Sequence, residues 1–403
     1  MTTIALRKEG SLARRLVLSQ LEKLHLGRLW LHERGETQVF GAPDARLPLE
    51  ASVTVRDPAF YADVAFGGSI GAAESYMEGR WEADDLTAAM RLLLRNREVS
   101  DGMDGGLAGL AALPRLAVHW LRRNTRAGSR RNIRAHYDLG NEFFRLMLDE
   151  TMMYSCALFE SPGMSLAEAQ RAKLDRICRA LALAPRDHVL EIGTGWGGFA
   201  LHAAERYGCR VTTTTISPSQ ASLARERVRA AGLEHRITIL EKDYRDLRGR
   251  YDKLVSIEMI EAIGHQYFED FFAQSAARLA PGGRMLLQSI TIADQRYEQA
   301  RDEVDFIKRY IFPGCCIPSI TALLQAMTAA SNLRLAGLED IGPHYAPTLA
   351  RWRDNMSAQL ARVRELGYGE AFLRMWTFYL CYCEAGFTER ALGDVQMLIE
   401  KPA

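Results

Sequence analysis

One segment, VLEIGTGWGGFA from Val189 to Ala200, limits the folds open to this chain more than any other. An apolar, β-branched run enters closely spaced glycines and leaves as a helix, the strand–turn–helix opening of an open α/β sheet. Gly193, Gly195 and Gly197 let the backbone turn tightly and approach a ligand at the carboxyl end of the strand, where such sheets bind cofactors. From Leu166 to about Ile290 helical and β-branched stretches alternate in the order of a doubly wound sheet. Strands are expected at 189–193, 210–216, 237–243, 253–259 and 284–290, with two more at 333–341 and 395–399. Helical pieces are expected at 298–310, 320–331, 349–365 and 370–384.

The neighbours of the glycines choose between cofactors. A dinucleotide site would continue G-x-G-x-x-G and close its second strand with an acid for the ribose hydroxyls. Here the pattern is G-x-G-x-G, and the second strand ends TTTTISPSQ with no acid. Glu191 precedes the first glycine, as in S-adenosylmethionine methyltransferases. Thr215, Ser217 and Gln220 supply neutral polar groups at the end of the second strand in place of the missing ribose acid. The third strand ends EKDYRD, placing Asp243 and Tyr244 beside an adenine slot, although Tyr244 equally suits an edge aromatic covering the core. In the fourth, YDKLVSIEMIEAIG, acids interrupt an apolar run, where charges seldom occur without partners. Glu258 suits an ordinary polar strand terminus. Glu261 falls just past the carboxyl end and is the better functional candidate.

Before this region, 11–96 mixes a helical leucine stripe with short alternating runs (GRLWLHE, TQVFG, ASVTVRD) and reads as a small α+β domain. The glycine-rich SDGMDGGLAGLAALP marks a linker. Beyond it Arg115, Arg122, Arg123, Arg126, Arg130, Arg131 and Arg134 follow one another with no acid between. Such a patch is either a solvated face or an attraction to an anionic bilayer of about 1 kcal/mol per Arg. Nucleic acid is not expected, since interleaved aromatics are sparse and 51 Lys plus Arg against 50 Asp plus Glu leave a net charge of +1. With 48% hydrophobic and 25% charged residues, no long apolar run, no signal-peptide pattern at the N-terminus and seven cysteines without a C-x-x-C pair, the chain is expected in a reducing cytosol. No metal ligand set is expected.

Five ordered motifs carry a family resemblance: NIRAHYDLGNEFFRLMLDETMMYSCALF, the glycine motif, the Glu261 segment, RYIFPGCCIPS and HYAPTLARW. Together they make the chain resemble the cyclopropane-fatty-acyl-phospholipid synthases and their mycolic-acid cousins. The resemblance implies a Rossmann-like class I methyltransferase domain with helical insertions over 132–403. An α+β lipid-associated domain over 1–100 and a linker over 101–131 would precede it. It implies transfer of the methyl carbon of S-adenosylmethionine to a cis double bond of an unsaturated phospholipid acyl chain, closing a cyclopropane ring. The enzyme would sit peripherally on the inner membrane, with a homodimer plausible. Cofactor contacts would come from Tyr154, Ser155, the backbone of Val189 to Gly197 with Glu191, Thr215 to Gln220, Tyr244 and Arg245; His136 and Tyr137 would form a lid or anchor the linker. A bicarbonate ion, the proton acceptor, would be held by Cys156, Glu261, Ile290 and Tyr345. Where a histidine usually joins that cluster this chain has Gln288, whose amide donates a hydrogen bond but cannot relay a proton as imidazole does. A methyl- or methylene-branched product on the same lipids is the alternative, and a noncatalytic lipid-binding protein a weaker one.

The chemistry itself asks for a dry pocket, because water would trap the carbocation that methyl transfer leaves behind. Drawing ten methylenes from a bilayer forfeits about 8 kcal/mol unless an apolar slot receives them. Phe306, Tyr310, Phe312, Trp376, Phe378 and Tyr379 are candidates for that slot, or ordinary core. Cys383 matches a cysteine designated as an active-site residue in the family, and equally suits packing on an apolar helix.

Overall fold

The computed structural model describes residues 12–43, 48–105 and 139–403, and divides the chain into two compact units. The arginine patch, His136, Tyr137 and most of the expected linker lie outside the described residues. The first unit takes Met1–Ala117 together with Gly369–Glu389; the second takes Val118–Tyr368 and Arg390–Ala403.

In the first unit β1 (Gly27–Glu33), β2 (Glu36–Ala42), β3 (Glu50–Val55) and β4 (Trp81–Ala83) form a sheet in the order β2-β1-β3-β4, with only β1 and β3 parallel. The helix Glu370–Thr388 packs against the helices Leu86–Arg95 and Ala59–Met77. Its buried Leu373, Trp376 and Leu380 supply the apolar stripe. Glu389, at its end, receives Arg91 Nε at 2.6 Å and Arg95 Nε at 2.7 Å. The chain from 132 to 403 is therefore not one compact unit: an amphipathic helix from its far end completes the N-terminal core.

The second unit is built on β5 (His188–Ile192), β6 (Arg210–Thr215), β7 (Ile237–Glu241), β8 (Tyr251–Ile257), β9 (Leu279–Ile292), β10 (Arg334–Asp340) and β11 (Leu392–Glu400), ordered β10-β11-β9-β8-β5-β6-β7. β5 to β9 are mutually parallel, and β11 runs antiparallel to both its neighbours. One face carries Val189, Val211, Val255 and Leu286 against residues of the helices Leu166–Ala180 and Gly198–Tyr207. The other carries Leu190, Leu254, Leu287 and Met397 against Phe268–Arg278 and Ile320–Ala330. Continuous apolar strands follow from burial on both faces. The strand order reverses at β5, which places its carboxyl end at the switch point where doubly wound sheets bind ligands. Among the described residues no helix is long and apolar enough to cross a membrane.

Candidate active site

At the end of β5 the amides of Gly193 and Thr194 both donate to the carbonyl of Thr214, at 3.1 and 3.0 Å, closing the turn against β6. Gly193, Gly195 and Gly197 all take positive φ (106°, 51° and 86°), a region costly to residues with a Cβ. A Cβ added at Gly195 would meet nothing within 4 Å, so this part of the turn faces open space. One at Gly198 would fall 2.5 Å from the Met153 sulfur and 2.7 Å from the Thr151 carbonyl, showing how closely the segment before Tyr154 lies on the turn. Glu191 is buried within β5 and burial pushes its carboxyl up to about 8 against the opposing Thr213 hydrogen bond; its Oε2 has no partner. At the end of β6, Thr215 donates to Gln220 Oε1 at 2.9 Å, Ser217 caps the helix Pro218–Ala230 and Ile216 is half-buried between them. Arg245 holds Asp243 through two nitrogens, at 2.8 and 2.6 Å, and lies over the rings of Tyr244 and Tyr267. Tyr244 is buried, which raises its phenol well above the ordinary range, and its hydroxyl has no partner. Open space over a glycine turn, neutral groups at the next strand end and orphaned polar atoms at Glu191 and Tyr244 fit a nucleoside-bearing cofactor.

Beside this turn lies a second cluster, centred on Glu258. The Cys156 N–H donates to its Oε1 at 2.8 Å, the Gln288 amide to the same oxygen at 2.7 Å, and the Tyr345 hydroxyl to Oε2 at 2.6 Å. Gln288 Nε2 also reaches Asp394 Oδ2 at 3.1 Å, and Gln396 donates to Gln288 Oε1 at 3.1 Å. Register explains the grouping: Gln288 on β9 stands opposite Ile257 on β8 and Gln396 on β11, so Gln288, Gln396 and Asp394 share one face of the sheet. Glu261 accepts from the Ile290 N–H at 2.5 Å and the Ser289 hydroxyl at 3.0 Å, leaving Oε2 without a partner. Burial, then repulsion from Glu258, pushes Glu261 up to about 8. The same causes raise Asp394 well above the carboxylate range, and its Oδ1 is unpartnered.

Behind Cys156, the fully buried Lys173 donates to the Ser155 hydroxyl at 2.8 Å and Gln170 to the Ser155 carbonyl at 2.9 Å. Burial lowers the Lys173 ammonium to about 8 despite nearby Glu258. Tyr154 packs on Phe144, Trp352 and Phe312, with ring centroids 5.3, 5.0 and 6.5 Å away.

Of the residues expected to act together, Cys156, Gln288 and Tyr345 meet on Glu258, and Glu261 meets Ile290 within electrostatic reach of it. One role is made specific and one is corrected. Cys156 takes part through its backbone N–H, while burial with Asp394 and Glu258 nearby drives its thiol far above the thiolate range. Glu258 is the hub of the cluster and not an ordinary strand terminus. Cys383 belongs to the helix Glu370–Thr388 of the first unit, as do Trp376, Phe378 and Tyr379; Phe306, Tyr310 and Phe312 belong to the second. Lys173, Asp394 and Gln396 escaped sequence reasoning. Lys173 had a signal, a lysine on the buried stripe Leu166, Ala169, Gln170, Leu174, Ile177. Asp394 and Gln396 had another, polar residues two apart in the strand GDVQMLIE.

A glycine turn at the switch point, with an acid inside β5 and the strand order seen here, defines a Rossmann-like S-adenosylmethionine-dependent methyltransferase. The family model of mycolic acid cyclopropane synthetase matches residues 124–397, and the chain belongs to that family of lipid methyltransferases. It is 40% identical to the tuberculostearic acid methyltransferase UfaA1 of Mycobacterium tuberculosis over 88% of this chain and 84% of that protein. It is 35% identical to the cyclopropane-fatty-acyl-phospholipid synthase of Escherichia coli over 86% of each. The solved structure of the mycolic acid cyclopropane synthase CmaA1 complexed with SAH and CTAB superposes with a TM-score of 0.63 at 31% identity, covering 68% of this chain and 98% of that one.

Proposed function

We propose that the enzyme transfers the methyl carbon of S-adenosylmethionine to a cis double bond of an unsaturated phospholipid acyl chain and closes a cyclopropane ring. The observation that carries this reading is the convergence of Cys156, Gln288, Tyr345 and Glu261 beside the glycine turn, a buried proton-accepting cluster next to a methyl donor's place. S-adenosylmethionine would lie on the turn of Gly193 to Gly197, between Tyr154 and the end of β6, and supplies an electrophilic methyl group. The chain's own task is then to hold the olefin in line, exclude water and accept one proton. The donors that the resemblance gives to bicarbonate are already engaged by Glu258 and Glu261, so that ion does not fit the site as formed and no step is routed through it.

Transfer of a methyl cation followed by loss of one proton balances for a ring or for a methylene branch; a saturated methyl branch needs a hydride from a separate reductant. A methyl- or methylene-branched product is the second reading, favoured by the amide of Gln288 and by the name of the 40%-identical relative, a tuberculostearic acid methyltransferase. Peripheral contact with the cytoplasmic face of the inner membrane through the basic residues 115–134 belongs to the same proposal, and reversing several of these arginines should weaken co-sedimentation with anionic liposomes. The activity is tested by release of S-adenosylhomocysteine from purified protein. Monounsaturated phospholipid vesicles should stimulate it and fully saturated ones should not; equal release with both would refute the reading.

A further inference from the structure

We infer that Glu258 is the proton acceptor of this reaction, a built-in carboxylate standing where the family resemblance places a dissociable bicarbonate ion. The inference rests on the function proposed above. Its first support is the donor set. A small anion held here would need the Cys156 N–H, the Gln288 amide, the Tyr345 hydroxyl and the Ile290 N–H. The first three end on the two oxygens of Glu258, at 2.8, 2.7 and 2.6 Å, and the fourth ends on Glu261. Three donors converging on one carboxylate make an anion nest whose anion is covalently part of the chain.

Crowding is the second support. Asp394 shares the Gln288 amide with Glu258, and both Asp394 and Glu261 keep a buried, unpartnered oxygen. A free anion would enter among three carboxyl groups, and the four donors named above are already engaged.

Backbone strain is the third. Glu258 has φ of 48°, left-handed for a residue with a long side chain, where such strain is characteristic of functional sites. That conformation follows directly on β8 and turns the side chain back towards Cys156 and Tyr345 instead of continuing the strand. The next residue fixes the location: a Cβ built at Gly193 would lie 3.3 Å from the Met259 Cβ, and Ser256 donates to the Ile192 carbonyl at 3.1 Å. Glu258 is thus flanked on both sides by contacts to the glycine turn.

The step balances. The olefin π pair forms a bond to the methyl carbon while the carbon–sulfur bond breaks, its electrons going to sulfur. Glu258 then takes one proton from the transferred methyl group, and the freed C–H pair closes the third ring bond. The proton leaves with solvent exchange when product departs.

The test uses full-length protein, monounsaturated phospholipid vesicles and buffer freed of carbon dioxide. Wild type should turn over at the same rate with or without added bicarbonate. Glu258→Gln, which keeps the shape but not the base, should lower S-adenosylhomocysteine release about 100-fold or more while calorimetric binding of S-adenosylmethionine stays within about twofold. Glu258→Gly removes the carboxylate and suits the positive φ; it should be inactive alone and partly rescued by bicarbonate. Wild-type activity that requires bicarbonate, or a Glu258→Gln enzyme near wild-type rate, would overturn the assignment and leave the proposed function standing. A wild type silent on unsaturated vesicles in both buffers would overturn both.

Discussion

Lys173→Met should make the protein more stable and less active at once. The ammonium is wholly buried, and its fall from 10.5 to about 8 means that the fold disfavours the charge even with Glu258 and Asp394 nearby. At pH 7, below both values, this corresponds to about 3 kcal/mol of lost stability. Methionine fills nearly the same volume and forfeits the charge-assisted hydrogen bond to Ser155, worth about 2 kcal/mol. The variant should therefore gain about 1 kcal/mol, a rise in Tm of roughly 2 °C. Wild type should grow more stable as pH rises from about 8 to 10.5, where the unfolded chain holds the proton and the folded one has released it; the variant should lack that slope. Turnover should fall, because Ser155 loses the donor that fixes the Tyr154–Cys156 segment. Scanning calorimetry at pH 7, 8, 9 and 10 reads the stability terms. A variant less stable than wild type at pH 7 would refute the reasoning, since the ammonium would then be the stabilising half of a buried ion pair.

Gly195→Ala should cost about 1 kcal/mol through its positive φ yet weaken S-adenosylmethionine binding at least about tenfold, because the only space for the methyl group is the open side of the turn; unchanged affinity in a titration would place the cofactor elsewhere. Gly198→Ala should instead lower Tm more than Gly195→Ala, its Cβ having to displace Met153 and the Thr151 carbonyl. Glu191 is neutral in the fold up to about 8 and ionises far lower when unfolded, so its contribution is present in acid and is lost as pH climbs towards 8. Glu191→Gln should match wild type near pH 4 and exceed its Tm at pH 8, and a gap that shrinks with rising pH would contradict this.

The seven strands of the second unit were legible as apolar runs between turn residues, β-branched in β5, β6 and β7 but not in β10, RLAGLED; their pairing was not. Boundaries were only partly legible. The helix expected over 298–310 stops at Asp302, where buried Lys308 donates to the carbonyls of Ala300, Arg301 and Glu303 and caps its end; a π-turn, Ile307–Ile311, follows. The stretch expected as one helix over 349–365 starts at Tyr345 and divides at Gln359. The site was half legible. Types and order of residues pointed to Cys156, Glu261 and Tyr345, but Glu258 looked like a strand end because its donors come from Cys156, Gln288 and Tyr345, far away in sequence. Only the β8–β9–β11 register brings Gln288 and Asp394 to it.

Turnover with S-adenosylmethionine trideuterated on its methyl group is the sharpest single check. Lipid recovered from monounsaturated vesicles should carry two of the three deuterium atoms on one added carbon, as mass spectrometry and deuterium NMR will show, because a base in the pocket removes one from the transferred methyl. Acyl chains that retain all three, or that acquire none while S-adenosylhomocysteine accumulates, would contradict the account.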